Sequence, residues 1–449
     1  MKEKETISQF EQLIKQNYKI DSSLYSKYNA KRGLRNEDGT GVLVGLTNIG
    51  NVHGYILDEG DKIPDEGCLR YRGINVAEII NCCEEERRYG YEEVAYLLLM
   101  GQLPAMEQLR QFKALLGKKR ELPSGFTEDM ILKAPSNDIM NKLARSVLVS
   151  YSYDDNPDSI ELSNMLRQSI ELIARFPTMV AYAQQAKLHY YDKKSLVIHT
   201  PQENLSTAEN FLYMLRQNNE YTPLEAEVLD TSLILHAEHG GGNNSAFTTH
   251  VVSSSGTDTY SAIAAAVGSL KGPKHGGANN RVMSMMAEIE ENVKDWANEE
   301  EVRQYLIKIL KKEAYDRSGL IYGMGHAIYT KSDPRAVILK SKAKELAQEK
   351  GFMEEFMLYD TIERISPVVF AEVKGNGKAM CANVDMYSGF VYKMLGIPQE
   401  LYTPIFAIAR VVGWCAHRIE EVVAGGKIIR PAYKSISQKM EYTKLKNRE

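Results

Sequence analysis

Helical periodicity beyond Ile74 is the feature that most restricts how this chain can fold. From there onwards apolar residues recur at helical spacing, and proline and glycine interrupt the pattern at intervals. Thr222-Pro223-Leu224-Glu225 has the form of a capping box, so we predict a helix from there through His236 to the glycines at 240–242. Only Gly41 to Gly73, where glycines separate short β-branched runs, favours strands. The chain is therefore predicted to be mostly α-helical, with a small N-terminal β portion.

Length and composition indicate a folded protein of two domains. The chain has 449 residues, more than one hydrophobic core usually serves. Hydrophobic residues make up 43% and charged residues 25%, as in ordinary soluble globular proteins. The formal net charge of −4 gives no sign of the positively charged face that nucleic-acid-binding proteins normally carry. Small-molecule partners are therefore favoured.

Cysteine usage and the N-terminal sequence both favour a cytoplasmic protein. The five cysteines are an odd number, and the adjacent Cys82 and Cys83 form a poor pair for a structural disulfide. The N-terminal Met-Lys-Glu-Lys-Glu does not lead into an apolar signal core. No run approaches the roughly 18 apolar residues that cross a bilayer. We expect a reducing compartment and no membrane contact.

Histidines cluster with glycines between Leu233 and Asn280. His236 and His239 are predicted to share the last turn of the helix before the triple glycine, and His275 stands at the entrance of a helix from Ala278. Imidazole changes charge near neutral pH, and glycine lets backbone and ligand approach closely. This clustering predicts a functional site.

Two other interpretations of these histidines remain open at this point. His236 and His250 are predicted to be satisfied core or helix-end histidines, since the negative end of a helix favours them. A metal hydrolase is the alternative of another class, because His236-Ala-Glu-His239 places two imidazoles on one helix face. That spacing lacks the His-Glu-x-x-His arrangement of zinc proteases, so no metal is predicted.

Several motifs, taken together and in order, resemble the signature of the citrate synthase family. They are Leu69-Arg70-Tyr71-Arg72-Gly73, His236-Ala-Glu-His239, Asn243-Asn244-Ser245-Ala246, Gly272-Pro273-Lys274-His275-Gly276-Gly277-Ala278-Asn279, Gly323-Met324-Gly325-His326-Ala327, Lys331-Ser332-Asp333-Pro334-Arg335 and Asn383-Val384-Asp385-Met386-Tyr387-Ser388-Gly389. Members of this family join acetyl-CoA to oxaloacetate and hydrolyse the thioester, giving citrate and CoA. The resemblance implies an acyltransferase of the tricarboxylic acid cycle without metal or added cofactor, acetyl-CoA being a substrate.

The resemblance also assigns catalytic roles to three residues. Making a carbon nucleophile from a thioester methyl group requires a base and a hydrogen-bond donor at the enolate oxygen. By resemblance Asp385 is the base and His275 is the donor, while His326 polarises the ketone of oxaloacetate. The positive end of the following helix favours a neutral His275. Taken alone, Asp385 would be read as the N-cap of a helix from Met386.

Oxaloacetate binding is implied for His239, Arg335, Arg410 and Arg430. The planar guanidinium fork of arginine matches a carboxylate with two parallel hydrogen bonds. Arg410 has apolar or glycine neighbours in sequence, so its charge needs either an internal carboxylate or a bound anion. In the family, the residue that matches Arg430 reaches across a homodimer interface into the other subunit's site.

The resemblance places the CoA site less sharply. The adenine is expected to meet the backbone of the loop that precedes His326, and Lys378 is expected to meet a phosphate. That loop comprises Ile321, Tyr322, Gly323, Met324 and Gly325. One departure from the family is visible, because many members have glutamate where this chain has Gly240.

The family architecture predicts a discontinuous large helical domain and a smaller one inserted in it. The large domain would comprise residues 1–277 and 386–449, and the small domain residues 278–385. Catalytic groups would then straddle the boundary, which suits closure of the domains around oxaloacetate. A 2-methylcitrate synthase, which accepts propionyl-CoA, is a close alternative, because one methylene changes pocket affinity by only about 1–3 kcal/mol.

Overall fold

Short helices make up the first compact unit of the chain, residues 1–46, in this computed structural model. The structure describes residues 2–58, 61–375 and 379–448. Helix α1 spans Lys2–Asn17 and α2 spans Ser23–Lys27, and a single 3-10 turn covers Arg32–Leu34. The second unit, residues 47–449, contains every residue assigned to the candidate site.

A small antiparallel sheet opens the second unit. Strands β1 (Gly50–Asp58), β2 (Asp61–Tyr71) and β3 (Ile74–Asn75) lie in that order in the sheet. Gly50 pairs with Tyr71, and an irregularity interrupts the register of β1 after His53. The sheet lies within the stretch for which recurring glycines and β-branched residues predicted strands, together with two residues beyond it.

Helices form nearly all of the remaining regular structure that is described. They are α3 (Val76–Glu85), α4 (Tyr91–Met100), α5 (Met106–Lys118), α6 (Ile139–Ser150), α7 (Leu162–Tyr190), α8 (Thr207–Leu215), α9 (Pro223–His236), α10 (Asn244–Ser253), α11 (Thr259–Lys271), α12 (Ala278–Asn292), α13 (Glu299–Leu310), α14 (Pro334–Lys350), α15 (Met353–Lys374), α16 (Asp385–Met394) and α17 (Tyr402–Val423). A π-helical segment covers Thr127–Leu132, and 3-10 turns cover Tyr151–Tyr153, Gln399–Leu401 and Leu445–Asn447. The prediction of a mostly α-helical fold with a small sheet is confirmed.

The predicted helix boundaries rest on side-chain caps that the structure contains. The Thr222 hydroxyl accepts a hydrogen bond from the Glu225 N–H (3.2 Å), and the Glu225 carboxylate accepts one from the Thr222 N–H (2.8 Å). Asp258 caps α11 by accepting from the Ser261 N–H at 2.8 Å. Each cap satisfies an N–H that the first helical turn leaves without a partner.

Two long helices, α7 and α17, form the centre of the core and support the site. Both are buried along most of their length, and they pack against each other. Helix α17 also packs on α4, α9, α10 and α11, so its side chains reach the ends of several helices at once. Arg410 and Trp414 of α17 are fully buried among them. Burial of this apolar surface fixes α17, and α17 in turn fixes the polar groups that it carries into the core.

The structure bears on two further expectations. None of the helices in the described residues has the length and apolar character that crossing a membrane requires. The division of the chain at residues 46/47 does not test the predicted boundaries at 277/278 and 385/386. The large and small domains therefore stay a prediction.

Candidate active site

The turn after α9 carries His239 and is held by a tyrosine from the sheet. The Tyr71 hydroxyl donates to the Ile234 carbonyl at 2.8 Å and accepts from the Glu238 N–H at 3.3 Å. Helix α9 ends at His236, so the prediction that His239 shares its last turn is wrong. The chain leaves the helix because Tyr71 engages the backbone on both sides of the turn.

Glycine follows His239 for a conformational reason. Gly240 has φ +80°, in the left-handed region where a side chain is strained, and a Cβ there would lie 3.4 Å from Val52. The glutamate of many family members is therefore unfavourable for this turn. The departure at Gly240 changes the turn and removes no proposed catalytic group.

His239 is a neutral, buried imidazole. Burial holds the pKa of His239 well below its usual value, and the positive charge of Arg335 lowers it further. The ring lies edge-on to that of His326, with centroids 5.3 Å apart. Its Nε2 atom is buried and has no hydrogen-bond partner among the described residues. A ligand that accepts or donates at this nitrogen would satisfy it.

The backbone fixes the tautomer of neutral His326. Its Nδ1 atom accepts hydrogen bonds from the N–H groups of Ile328 and Tyr329, both at 3.1 Å. A neutral imidazole has one donor and one acceptor nitrogen, so Nε2 carries the proton. The ring also stacks on Tyr329, with centroids 4.6 Å apart. His326 therefore presents an oriented N–H donor.

The loop Ile321–Gly325 is hydrogen-bonded to the segment that leads to Asp385. Gly325 donates its N–H to the Cys381 carbonyl at 2.7 Å, and Asn383 donates its N–H to the Gly323 carbonyl at 2.8 Å. The Asn383 amide also donates to the Gly325 carbonyl at 2.8 Å. This short ladder brings together the two stretches that carry His326 and Asp385, which are far apart in sequence.

Asp385 is the first residue of α16 and is not its N-cap. Val384 occupies the cap position, so the reading of Asp385 as a simple cap is wrong. Burial raises the pKa of Asp385 to about 6, against the lowering effect of Arg335. A carboxyl group with a pKa near neutrality can accept a proton in one step and release it in the next.

His275 is held by a serine from α10. Its Nε2 atom lies 3.0 Å from Ser245 Oγ, which also accepts a hydrogen bond from the Trp414 indole N–H at 3.0 Å. Burial lowers the pKa of His275 to about 4, and the positive charge of Arg410 is the second cause. The neutral state expected from the sequence therefore arises chiefly from burial, whereas the sequence argument relied on the helix dipole.

Arg410 has a buried guanidinium with unused donors. Its Nε donates to the His236 carbonyl at 2.6 Å, and the ring of Phe406 lies 4.7 Å from its Cζ. Both Nη atoms are buried without a hydrogen-bond partner, and no carboxylate of the described residues forms an ion pair with them. Burial lowers the pKa of Arg410 to about 10. The interpretation as an internal salt bridge is wrong, and the bound anion stays a prediction.

Arg335 shows the opposite arrangement. Its Nε donates to Asp333 Oδ1 at 3.0 Å, and its Nη2 donates to Asp333 Oδ2 at 2.7 Å. Both residues are buried. Burial opposes the charge of Arg335, but the Asp333 carboxylate outweighs it and raises the pKa of Arg335. The fixed Arg335–Asp333 ion pair therefore lies near Arg410, a cation without an ion-pair partner among the described residues.

His236 and His250 differ in their hydrogen bonding. His250 bonds Glu421 through Nδ1 (2.8 Å) and His417 through Nε2 (3.0 Å), so the prediction of a satisfied histidine is confirmed for it. His236 is fully buried and stacked on Phe406, with centroids 4.2 Å apart, but neither ring nitrogen has a partner among the described residues. For His236 the prediction is wrong, because apolar packing surrounds a ring that still offers a donor and an acceptor.

Arg430, a predicted binding residue, is not brought into this cluster. Arg430 is exposed in the segment that follows α17, where the Ile429 N–H bonds the Ser254 hydroxyl at 3.0 Å. Lys378 lies outside the described residues. Both assignments stay predictions.

Several residues that support the site were given no role by the sequence analysis. Ser245 and Trp414 hold His275, Asp333 pairs with Arg335, and Tyr71 holds the turn before His239. Each acts through a contact to a residue that sequence had singled out. Asp333 could have been found from the sequence, because it lies two residues before Arg335. The other three meet their partners across the fold, which sequence spacing does not report.

Neutral imidazoles around a buried cation with unused N–H groups form the kind of site that suits carboxylate binding and acid–base chemistry. The family model described as "Citrate synthase, C-terminal domain" matches residues 38–432. The chain is 33% identical to citrate synthase of Haloferax volcanii, over 93% of this chain and 99% of the relative. It is 31% identical to 2-methylcitrate synthase 1 of Corynebacterium glutamicum, over 89% and 95% of the two chains.

A solved structure agrees with these relatives. The ternary complex of citrate synthase from Thermoplasma acidophilum with carboxymethyl coenzyme A and oxaloacetate superposes with a TM-score of 0.74 at 26% identity. The superposition covers 91% of this chain and 97% of that chain. The chain belongs to the citrate synthase family, whose members are acyltransferases.

Proposed function

We propose that this chain condenses acetyl-CoA with oxaloacetate and hydrolyses the resulting thioester to citrate and CoA. The observation that carries the proposal is the Arg410 guanidinium, fully buried with both Nη atoms lacking partners. An unpaired buried charge costs several kcal/mol. A carboxylate of oxaloacetate would remove that cost and bind with two parallel hydrogen bonds.

The second carboxylate and the neighbouring groups complete the proposed oxaloacetate site. Arg335, held rigid by Asp333, provides a second cation. His239 contributes the buried Nε2 atom that lacks a protein partner. Arg430 of a second copy of this chain would complete the site across a homodimer interface, as the family motif implies.

Enolisation is assigned to Asp385 and His275. Asp385 removes a proton from the methyl group of acetyl-CoA, and a pKa of about 6 leaves it ionised at neutral pH. The electron pair of the C–H bond forms the enolate, whose oxygen receives a hydrogen bond from His275. With a pKa of about 4, His275 is neutral at neutral pH, and its ring N–H still donates a hydrogen bond.

Condensation is assigned to His326. The enolate carbon attacks the ketone carbon of oxaloacetate, and the ketone oxygen becomes an alkoxide. The Nε2–H of His326, oriented by the backbone bonds at Nδ1, stabilises that oxygen and supplies its proton. Water then adds to the thioester carbonyl, the carbon–sulfur bond breaks, and citrate and CoA leave.

The CoA site is proposed along the loop that precedes His326. Backbone groups of Ile321, Tyr322, Gly323, Met324 and Gly325 would meet the adenine, and Lys378 would meet a phosphate. The hydrogen bonds from this loop to Cys381 and Asn383 support the proposal, because they hold its backbone in one conformation.

Assembly, compartment and domain movement complete the proposal. We place the protein in the cytoplasm as a homodimer, with a large domain of residues 1–277 and 386–449 and a small domain of residues 278–385 that close on oxaloacetate. All five cysteines are free, which fits a reducing compartment. The reaction proposed needs no metal and no cofactor beyond the substrate acetyl-CoA.

A 2-methylcitrate synthase is the second candidate, because relatives of that name cover most of the chain. One methylene in an apolar pocket alters the binding free energy by about 1–3 kcal/mol. The catalytic groups described do not determine which of the two thioesters is preferred. Steady-state rates with acetyl-CoA and propionyl-CoA separate the two activities. A clear preference for propionyl-CoA would replace the first candidate with the second.

Release of free CoA thiol from acetyl-CoA tests the proposed function. We expect rapid release with oxaloacetate and almost none without it, since the ketone is the acceptor. Equal release in both samples would indicate a simple thioester hydrolase. Absence of release with acetyl-CoA and with propionyl-CoA would contradict both candidates.

A further inference from the structure

A hydrogen-bonded row of side chains lies behind the turn that carries His239. It joins Glu421, His250, His417 and Glu238 in that order: Glu421 to His250 Nδ1 (2.8 Å), His250 Nε2 to His417 Nδ1 (3.0 Å), and His417 Nε2 to Glu238 (3.0 Å). The proposed reaction uses none of these four side chains. We call them, with Glu420, the α10–α17 cluster.

The two outer carboxylates leave the two inner nitrogens facing each other. An ionised carboxylate only accepts, so His250 donates from Nδ1 to Glu421 and His417 donates from Nε2 to Glu238. The remaining nitrogens, His250 Nε2 and His417 Nδ1, point at each other across 3.0 Å. A proton shared between these two nitrogens, or a metal cation bound by both, satisfies them.

Glu420 places a carboxylate oxygen near these two nitrogens. Its Oε2 lies 4.0 Å from His417 Nδ1, is buried and has no hydrogen-bond partner among the described residues. Its Oε1 accepts from the Asn48 N–H at 2.8 Å, which fixes the carboxylate. The three candidate ligand atoms of His250, His417 and Glu420 lie within 4.8 Å of one another.

We propose that the α10–α17 cluster is a zinc site, with His250 Nε2, His417 Nδ1 and Glu420 Oε2 as ligands. Tetrahedral zinc with Zn–N distances of about 2.0–2.1 Å separates two imidazole nitrogens by about 3.3 Å. The pair here is 3.0 Å apart, so only a small movement is needed. Two imidazoles and one carboxylate favour zinc over magnesium or calcium, which prefer oxygen ligands.

The carboxylates around the two histidines match what surrounds histidine ligands in metal proteins. Such a histidine almost always donates its other ring N–H to a carboxylate or carbonyl, which fixes its tautomer. Both histidines of the α10–α17 cluster already do so, to Glu421 and to Glu238. The arrangement is therefore prepared before any ion binds.

An ion can enter and complete its coordination at this position. The side chains of His250, Glu420 and Glu421 are 13%, 17% and 16% exposed, so the site reaches the surface on that side. A Cβ on Gly241 would lie 3.5 Å from His250 Nε2 and 3.5 Å from His417 Cε1, and glycine leaves that space open. Water could supply the fourth ligand there. The sequence predicted no metal, and the proposed site departs from that prediction.

The proposed zinc site uses different histidines from the metal hydrolase interpretation, which concerned His236 and His239. The α10–α17 cluster meets the proposed active site through Glu238, which bonds His417 and directly precedes His239. The proposal stands whether or not the chain makes citrate. Its test therefore measures metal binding and needs no substrate.

Equilibrium dialysis of the full-length protein against zinc chloride, followed by elemental analysis, tests the site. We expect one zinc ion per chain, with binding at least about tenfold weaker in His250→Gln and in Glu420→Gln. Glu420→Gln keeps the shape of the side chain and its oxygen for Asn48, so it preserves the fold. His189→Gln, at the end of α7, is the matched control and keeps the zinc.

A second readout checks the ligand geometry. Cobalt(II) in place of zinc should give the intense visible absorption of a tetrahedral site in the unaltered protein and lose it in Glu420→Gln. Failure of the unaltered protein to bind zinc overturns the proposal. Zinc binding that survives both cluster variants but is lost in His239→Gln also overturns it, because the ion would then belong to the active-site histidines.

Discussion

The hydroxyl of Ser245 lies 3.0 Å from Nε2 of His275. The same oxygen accepts the indole N–H of Trp414 at 3.0 Å, and it lies 2.9 Å from the Asn243 side-chain oxygen. These contacts hold the serine hydroxyl against the imidazole and so fix the position of the ring. The donor assigned to the enolate oxygen is thus positioned by a helix, α10, that carries none of the predicted catalytic groups.

Ser245→Ala should lower turnover while leaving oxaloacetate binding nearly unchanged. Loss of the hydroxyl frees the His275 ring to rotate, and small misplacements of a catalytic group cost up to about 100-fold in rate. Steady-state kinetics should show a fall in kcat with little change in the KM for oxaloacetate. Ser366→Ala is the matched control, because the buried Ser366 hydroxyl bonds the Ile362 carbonyl of its own helix at 2.6 Å. Equal kcat in the two variants would contradict the positioning role.

Asp385→Asn should lower kcat by roughly 10²- to 10⁴-fold, the usual contribution of an acid–base group. The amide keeps the shape of the side chain but cannot remove the methyl proton. Binding of oxaloacetate, followed by calorimetry, should persist because the arginines are intact. Near-normal turnover would show that another group is the base.

Thermal stability at pH 7 is a second readout of Asp385→Asn, and we expect it to rise. Burial raises the folded-state pKa of Asp385 to about 6, above the unfolded value. Folding therefore favours the protonated group, and the stability that it contributes below the unfolded pKa is lost as pH rises through about 6. The amide of the variant carries no charge to bury, so the Tm of Asp385→Asn should exceed that of the unaltered protein at pH 7. The two Tm values should converge as the pH falls below the unfolded pKa.

The pH profile of kcat/KM depends on the same carboxyl group. Loss of the Asp385 proton lowers stability but raises activity. A general base works only when deprotonated, so kcat/KM should fall about tenfold per unit of pH below the pKa. With the pKa of Asp385 at about 6, the acid limb should bend near pH 6. A profile that stays flat well below that pH would exclude Asp385 as the group that must be ionised.

Sequence reasoning predicted those features of the fold that depend on neighbouring residues. The cap at Thr222 follows from local hydrogen bonds, and α9 begins where that residue predicts. The predicted helix end at His239 failed because Tyr71, from a strand 163 residues before Ile234, engages the backbone there. The sequence likewise could not predict that Arg410 lacks an internal partner, because a run of apolar neighbours is equally compatible with an internal salt bridge.

Arg410→Met should separate stability from binding. Replacing a buried ion pair with apolar residues of similar volume is often neutral or stabilising by about 1–4 kcal/mol, and an unpaired charge has no Coulombic attraction to lose. The Tm without substrate should therefore hold or rise, and the increase in Tm that oxaloacetate causes in the unaltered protein should disappear. The KM for oxaloacetate should rise by at least about 100-fold, within the roughly 2–5 kcal/mol that a buried charge pair loses. An unchanged response to oxaloacetate would place its carboxylate elsewhere.

Gly323→Ala should damage the site through geometry alone. Gly323 has φ +85°, and a Cβ there would lie 2.8 Å from Met386 Sδ and 3.1 Å from Met386 Cα, one residue beyond Asp385. The left-handed backbone costs an alanine about 1–2 kcal/mol, and crowding in a packed interior adds roughly 1–3 kcal/mol.

Gly351→Ala isolates the backbone part of that cost. Gly351 has φ +80° at the end of α14, and a Cβ there would meet nothing within 4 Å. Chemical denaturation should show a larger loss of stability for Gly323→Ala than for Gly351→Ala. Because relief of the clash displaces either the loop before His326 or the start of α16, kcat should fall only in Gly323→Ala. Matching losses of stability and unchanged kcat in both variants would show that Met386 yields without moving Asp385.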